Sequence, residues 1–599
     1  MRISQLRIKN FRGIAEADIR FGVHTVLIGD NNSGKSSVLE AIDLVLGPDR
    51  ISRVAAIDEH DFYASHYLDD EGEPIPIEIE IVIVDLIPEQ IRHFKAHLEF
   101  WDETSEVLIS GPPADAIESG AVKEALRVCF RGRYDPDQDE FQADTEFCSP
   151  ESEVGEQARF RTPDKRLCGF LFLRSLRTGS RALSLERGSL LDIILRLREI
   201  RPKLWEQVLD QLKKLPVAEN SELGLSTTLA EIQSSLRGYV PLDWASDPQL
   251  RVSDMTREHL RKVLTVFMAT GATTSGAVHF APFQHQGTGT INTLVLALLS
   301  MIAEAKATVI FAMEEPETAI PPSIQKSIVG GVRSKASQAL FTSHSPYVLE
   351  EFDPHEILVL ARDTATGMLT SKPVAFPLIV KPKKYSSEFR LRFCEALLSR
   401  RVLIVEGATE LLAYPSAGRR LTELDPGNFS TLEALGIAIF NADTDTQIAT
   451  FAAFFRELGK TVFTAYDKQK NVAQRKEIEK ASNHCFESPT TEFEDLLMKE
   501  TAEAALRRFA KDLVDSGEWP THLNHCKPNQ KTSSAELKSA LKEYLAWGKA
   551  RGRAGDLLAE CSLTEMPSTI TEFFRKVKEI VNSPSPSDPA AANPAAGSK

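Results

Sequence analysis

Gly29-Asp30-Asn31-Asn32-Ser33-Gly34-Lys35-Ser36 spells a complete G-x-x-x-x-G-K-S phosphate loop. An apolar run, Thr25-Val26-Leu27-Ile28, precedes it, and a helix-like stretch, Ser37-Val38-Leu39-Glu40-Ala41-Ile42, follows. This strand–loop–helix setting is what the motif needs. Backbone N–H groups around Gly29, Asn32 and Gly34 can curl about phosphate oxygens, and the helix start from Lys35 through Ser37 adds partial positive charge. Lys35 is placed to reach the β- and γ-phosphates and Ser36 to hold Mg²⁺. The chain is therefore expected to bind a nucleoside triphosphate, with ATP as the cofactor.

The rest of an ATPase is found further along. Thr308-Val309-Ile310-Phe311-Ala312-Met313 is a buried-strand run that ends in Glu314-Glu315-Pro316-Glu317. Two acids at a strand end suit a Walker B pair, Glu314 positioning Mg²⁺ and Glu315 polarising the attacking water. About thirty residues on, Ala339-Leu340-Phe341-Thr342-Ser343-His344 is a second strand, and it brings one imidazole, His344, to the γ-phosphate position. Upstream, Gln284-His285-Gln286-Gly287-Thr288-Gly289-Thr290 opens a helix over 291–299. It lies where an ABC-type signature belongs, without the usual LSGGQ wording. A helix start with Gly287 and Gly289 can bind the γ-phosphate of a nucleotide held by another subunit, so a homo-oligomer is expected. The opening Ile8-Lys9-Asn10-Phe11-Arg12-Gly13 resembles that of RecF/SMC-type ABC ATPases, where the arginine, here Arg12, lies near the nucleotide.

A second α/β unit begins with the strand Val402-Leu403-Ile404-Val405, which ends in Glu406-Gly407-Ala408-Thr409-Glu410. Glu406 and Glu410 straddle a strand end and a first helical turn, so both can face one site. Strands over 437–440 and 461–466 follow, separated by a helix over 448–458, and the last ends in Asp467. Then comes Thr491-Glu492-Phe493-Glu494-Asp495. A parallel sheet brings such ends together along its carboxyl edge.

This arrangement resembles a Toprim domain, marked by a strand-end glutamate with a following glycine and an Asp-x-Asp two strands later. Asp443-Thr444-Asp445 has the literal spelling but follows the second strand. Asp467-Lys468-Gln469 follows the third, where the resemblance places the pair, with Gln469 standing for the second aspartate. Asp467 is favoured on topology, and Asp443 or Asp445 stays open as a contributor. An ABC-type ATPase followed by Toprim is the order of the OLD (overcoming lysogenisation defect) family, shared by the Gabija nuclease subunit. The resemblance spans about residues 1–580 and includes an aromatic-bearing helix leading into Arg400-Arg401-Val402-Leu403-Ile404-Val405-Glu406-Gly407. It implies a DNA endonuclease using Mg²⁺ or Mn²⁺ on Glu406, Glu410, Asp467 and Glu492 or Glu494, assisted by a C-terminal lysine best matched by Lys549. It also implies defence against phage or foreign DNA and leaves room for a partner protein. The competing expectation is a RecF/SMC-like ATP-driven DNA clamp or sensor with a degenerate Toprim domain, which Gln469 favours.

Bulk properties agree with this. The chain of 599 residues has room for several domains. The expected division is an ATPase domain over 1–375 with a helical, dimerising insert at about 189–245, a linker over 376–398, Toprim over 399–500, a helical C-terminal part over 501–582 and a disordered tail over 583–599. In the insert, packing back on the same chain stands as an equal alternative to dimerisation. A formal net charge of −15 argues against a simple basic DNA coat but not against a nuclease that carries metal ions. No apolar run is long enough for a membrane span, and Met1-Arg2-Ile3-Ser4-Gln5 enters a strand directly. Seven scattered cysteines suit free thiols in a reducing cytoplasm. His522, His525 and Cys526 lie close together, but no second ligand cluster follows in the sequence, so they read as a surface loop. No length remains for the transesterifying-tyrosine domain of a topoisomerase.

Overall fold

A computed structural model describes Met1–Ser583 except residues 49–56, 110, 112–120, 151–156, 174–184, 186–188, 199–200, 215–224, 241–255, 275, 288–290, 292–293, 296, 299–300, 303–308, 319 and 376–389. The expected tail and most of the expected linker therefore lie outside the described residues. The chain divides into two compact units. One comprises Met1–Leu27, Gly34–His344 and Arg362–Ser371; the other comprises Ile28–Ser33, Ser345–Ala361 and Lys372–Lys599.

The first unit is built on a mixed sheet. Its antiparallel part runs through Val107–Ile109, Leu98–Asp102, Val122–Asp135, Ile77–Val84, Arg2–Phe11 and Ile14–Arg20. Ile77–Val84 alternates along IEIEIV, with Ile77, Ile79 and Ile81 buried and Glu78 and Glu80 half-exposed between them. That is the pattern of a sheet with one covered face. The stretch over 90–165, which has little legible periodicity, contains a long hairpin of Val122–Asp135 and Glu140–Phe147. The Asp135 carboxylate accepts from the Asp137 and Gln138 backbone N–H groups at its turn.

The parallel part contains β1 (His24–Ile28), β2 (Ile310–Glu314), β3 (Gln338–Thr342) and the short strand Phe170–Leu173. These strands are apolar almost throughout, because both faces are covered. Val26, Leu27, Ile310, Ala312, Leu340 and Phe341 are all buried. Helix α1 (Lys35–Leu46) follows β1 and buries Val38, Leu39, Ile42 and Val45.

The insert is helical where described, over Leu190–Leu197, Arg201–Lys214 and Leu225–Leu236. The first two helices pack on the same chain: Leu191, Leu195, Val208 and Leu212 close on Leu185, Trp205 and Leu260. The third leaves Ile232 and Leu236 exposed.

The second unit contains a four-stranded, fully parallel sheet. β4 (Arg401–Val405) sits between β5 (Ile437–Asn441) and β6 (Thr461–Tyr466), and His484–Glu487 flanks β6. Helix α2 (Ala408–Leu424) connects β4 to β5, and α3 (Phe493–Glu500) follows the last strand. One core joins Leu403, Val405, Tyr414, Phe463 and Phe493 to Tyr544, Phe573 and Phe574 from the C-terminal helices. A second aromatic cluster contains Phe393, Phe440, Phe451, Phe454 and Phe455.

Residues 390–398, at the end of the span assigned to the linker, form the aromatic-bearing helix that the resemblance implies before Arg400, with Phe393, Cys394, Ala396 and Leu397 buried. The Phe393 ring lies 5.6 Å from Phe454 and 5.8 Å from Phe455. Phe393→Ala should therefore cost about 3–5 kcal/mol, seen as a lower urea midpoint; a linker side chain would leave the midpoint unchanged.

Candidate functional site

In the first unit, β2 pairs with β3 so that Glu314 lies opposite Thr342, and β3 pairs with β1 so that Thr342 lies opposite Leu27. Parallel register thus brings the ends of all three strands level. The phosphate loop, the acidic turn and the Thr-Ser-His segment all leave from this one edge. The loop closes through Ser33 N–H donating to the Asp30 carbonyl. Asn32 and Gly34 both take positive φ, +68° and +97°. At Gly34 this left-handed turn starts α1 directly, and the Val38 N–H returns to the Gly34 carbonyl. Lys35 is the first helical residue and is buried; Ser36 and Ser37 complete the first turn. A loop of N–H groups with a lysine and a hydroxyl at a helix start is a fit donor set for a triphosphate and its Mg²⁺.

Glu315 also has positive φ, +42°, and its N–H donates to the Thr342 carbonyl at 2.9 Å, clamping the acidic turn to β3. Glu317, which sequence reasoning left without a role, makes the second clamp. Its carboxylate accepts from Ser343 Oγ at 2.9 Å and from the His344 N–H at 2.5 Å. Burial pushes the Glu317 carboxyl up, and these hydrogen bonds oppose the shift. The third acid of Glu-Glu-Pro-Glu therefore holds the segment that presents His344, whose side chain stays exposed. Arg12 is held by Glu40 on α1 and by Asp61, each at 2.8 Å. The expected signature glycines divide: Gly287 is exposed, its carbonyl accepting from the Ile291 N–H, and Gly289 lies outside the described residues.

The second unit gathers carboxylates at one sheet edge. Val405 lies opposite Asn441 on β5 and Ala465 on β6, so Glu406 and Asp467 emerge side by side. The Asp467 N–H donates to Glu406 Oε2 at 3.3 Å. Glu410, one turn into α2, is buried. A Cβ on Gly407 would stand 3.0 Å from Glu410 Oε2, so glycine there leaves space for the carboxylate. Glu494 on α3 is buried too and accepts from Thr409 Oγ1 at 3.1 Å. Lys549 Nζ lies 3.3 Å from Glu494 Oε1, and its positive charge also acts on Glu406, Glu410 and Asp467.

Electrostatics shows how closely these groups are set. Burial, joined by Glu410, Glu406 and Glu494, pushes Asp467 up to about 8. Burial, joined by Glu406 and Glu494, pushes Glu410 up to about 7. Burial also raises Glu406, against the Asp467 N–H. Crowded, partly desolvated carboxylates of this kind fit a hard divalent cation bound through oxygen.

The structure separates the remaining candidates. Glu492 is exposed and turned to Lys542, which pairs with it at 2.9 Å and with Asp495 at 2.6 Å. Of the two glutamates in Thr491–Asp495, then, Glu494 joins the cluster. Asp443 is exposed, with φ +72°, and its N–H donates to Asn441 Oδ1. Asp445 starts the next helix and acts on Glu406 only through its charge. Gln469 turns back on its own loop, its Nε2 donating to the Asp467 carbonyl. Glu487, at the end of the fourth strand, accepts from the Gln469 N–H at 3.0 Å; no motif marks it, and only strand pairing reveals it.

Comparison with known proteins matches this geometry. Residues 1–147 match the model of an AAA ATPase domain, and 172–350 match an AAA domain described as putative AbiEii toxin, type IV TA system. Residues 397–468 match the overcoming lysogenization defect protein-like TOPRIM domain. An OLD nuclease of Thermus scotoductus is 23% identical over 461 residues, covering 71% of this chain and 75% of the relative. The chain is thus similar to an OLD nuclease over most of its length and to the OLD-like TOPRIM model over 397–468. Among solved structures, the SMC head domain of Thermotoga maritima aligns at 14% identity over 63% of this chain and 100% of that one, with a TM-score of 0.30. An SmcHead bound to the C-winged helix domain of ScpA aligns at 14% identity over 63% and 99%, with a TM-score of 0.31. By the family models and its own topology the chain is a P-loop ATPase with a mixed sheet, followed by a Toprim domain and C-terminal helices. Among its described residues no helix is long and apolar enough to cross a membrane.

The raised carboxyls set a pH dependence. In the folded Toprim domain Glu410 and Asp467 keep their protons to about 7 and about 8, whereas unfolded they lose them near 4. The unfolded chain binds fewer protons across that window, so stability falls as pH rises through it. With chelator present, the melting temperature should drop by a few degrees, on the order of 2–4 °C, between pH 6 and 8.5. Millimolar Mg²⁺ should restore it more strongly at the higher pH, and Asp467→Asn should flatten the slope. A parent whose melting profile matches that of Asp467→Asn would show the repulsion to be absent.

Proposed function

We propose that this chain is an OLD-family nuclease: an ATP-hydrolysing, divalent-metal-dependent DNA endonuclease acting in the cytoplasm against phage or other foreign DNA. The observation that carries the reading is the meeting of Glu406, Glu410, Asp467 and Glu494, with Lys549 beside them, at the carboxyl edge of a Toprim sheet. The relative named OLD nuclease supports nuclease chemistry; the defence role rests on the family resemblance. The functional division is an ATPase over 1–375 and a Toprim part over 399–582.

On this reading Glu406 and Asp467 hold the scissile phosphodiester's Mg²⁺ or Mn²⁺, with Glu410 and Glu494 completing the negative field. Bound divalent ions supply Lewis acidity and a water of lowered pKa. Lys549 offers a positive charge to the phosphate, and its pairing with Glu494 sets its position. In the ATPase, Lys35 contacts the β- and γ-phosphates, Ser36 and Glu314 hold Mg²⁺, and Glu315 orients water. His344, held by Glu317, reads the γ-phosphate. Arg12 acts near the nucleotide by steadying α1 through Glu40. Gly287 and Gly289 serve a nucleotide of another subunit, and the exposed Ile232 and Leu236 suit a contact between copies.

One observation favours a second reading, an ATP-driven DNA clamp or sensor. Gln469 occupies the place of the second Toprim aspartate and spends its amide on its own loop.

Two sets of variants test the proposal. Lys35→Ala should abolish ATP hydrolysis, and Glu315→Gln should keep nucleotide binding while lowering turnover on the order of 10²-fold or more. Unchanged turnover in Glu315→Gln would remove Glu315 from the water-orienting role. In a supercoiled-plasmid assay with Mg²⁺ or Mn²⁺, Glu406→Ala and Asp467→Ala should each lose about 10²–10⁴-fold in nicking rate while hydrolysing ATP like the parent. Asp443→Ala should lose far less. A parent that nicks DNA under no metal and nucleotide condition would establish the clamp reading instead.

A further inference from the structure

A second cluster of metal-ligating side chains lies among the C-terminal helices. The turn Thr521–Cys526 is bound to helix α4 (Ser534–Trp547) by a rigid contact: the Trp519 indole stacks on Tyr544 at 5.3 Å and 14°. Its N–H donates to the Leu523 carbonyl at 3.0 Å, and Leu523 is itself buried. This docking brings His525 and Cys526 to Glu543, the neighbour of Tyr544 on α4. His525 Nε2 lies 3.3 Å from Glu543 Oε2, and Cys526 Sγ lies 3.6 Å from the same oxygen. The three ligand atoms all fall within 4.8 Å of one another.

The two separations to Glu543 Oε2 have the size of tetrahedral metal-site edges. Zn–N and Zn–O bonds of about 2.0–2.1 Å and a Zn–S bond of about 2.3 Å give tetrahedral edges of about 3.3–3.4 Å for N to O and about 3.5–3.6 Å for S to O. The histidine is also oriented for the task. Its Nδ1 lies 3.3 Å from the His522 carbonyl oxygen and can donate to it, which leaves the Nε2 lone pair for a ligand. An imidazole, a thiol and one carboxylate make a borderline-soft donor set, unlike the all-carboxylate cluster around Asp467.

We propose that His525, Cys526 and Glu543 bind one transition-metal ion of the Zn²⁺ class, with solvent at the fourth position. The ion staples the 521–526 turn to α4. That helix carries Lys542, which pairs with Glu492 and Asp495, and it ends at Trp547, two residues before Lys549. The ion is therefore placed to steady the helix that leads into Lys549.

The test uses the full-length protein, stripped with chelator and returned to millimolar Mg²⁺ so that hard carboxylate sites are filled. Co²⁺ is then titrated and followed by absorbance. The expected result is one equivalent per chain, with a thiolate-to-cobalt charge-transfer band, tetrahedral visible bands, and displacement of both by Zn²⁺. Cys526→Ser should abolish the charge-transfer band and weaken Zn²⁺ binding by more than about 100-fold, and Glu543→Gln should weaken it without removing the band. Both variants should keep the parent's circular dichroism in the absence of metal. A charge-transfer band that survives in Cys526→Ser would assign the ion to other thiols. Absence of any band in the parent would leave His525 and Glu543 as an ion pair only. Either result overturns the proposal.

Discussion

Level strand ends in parallel sheets are the constraint on which both candidate sites depend. A parallel pair aligns backbones in one direction, so whatever follows each strand emerges at the same edge. In the ATPase unit, Leu27, Thr342 and Glu314 share a register line, and the phosphate loop, the Ser343–His344 segment and the acidic turn follow it. In the Toprim sheet, Asn441, Val405 and Ala465 share another, and Glu406 and Asp467 lie just beyond. Shifting any of these strands by one residue would exchange the side chains on its two faces and break their packing, so the hydrophobic cores enforce the alignment that the chemistry uses.

What the two edges do with that alignment differs. At the ATPase edge, acids hold backbone: Glu317 accepts from Ser343 and from the His344 N–H, and the Glu315 N–H is tied to Thr342. The carboxylates there organise a loop for an anionic ligand. At the Toprim edge the acids face one another, with Lys549 as their common counter-charge, and the cost appears as raised proton affinity at Glu410 and Asp467. Mutual repulsion among ionised carboxylates is a cost that a cation entering such a cluster would relieve.

Much of this is legible in the chain because short motifs carry their own geometry. The phosphate loop requires a strand before it and a helix after it, and Thr25–Ile28 and Ser37–Ile42 supply both. Glu406-Gly407 at a strand end is the mark that the resemblance rests on, and Gly407 leaves space for the Glu410 carboxylate. The preference for Asp467 over Asp443 follows from strand order, and the structure sets Asp467 beside Glu406 while Asp443 stands exposed. Less legible were elements whose signal is tertiary. The hairpin at 122–147 has only partial alternation, because its strands are covered unevenly.

By itself the sequence determined which motifs are present and in what order: a phosphate loop, an acidic pair at a strand end, a Thr-Ser-His segment and a second α/β unit with strand-end acids. These depend on residues within a few positions of one another, where local geometry is forced by the backbone. Only the tertiary structure decided between acids of equal sequence merit. It turned Glu494 inward and Glu492 to Lys542, gave Glu317 the His344 segment to hold, and closed His525 and Cys526 on Glu543, seventeen residues beyond Cys526. The reason is physical. Whether a carboxylate is a ligand, a clamp or a surface charge depends on which groups other elements bring within about 4 Å of it, and that is set by packing rather than by spacing along the chain.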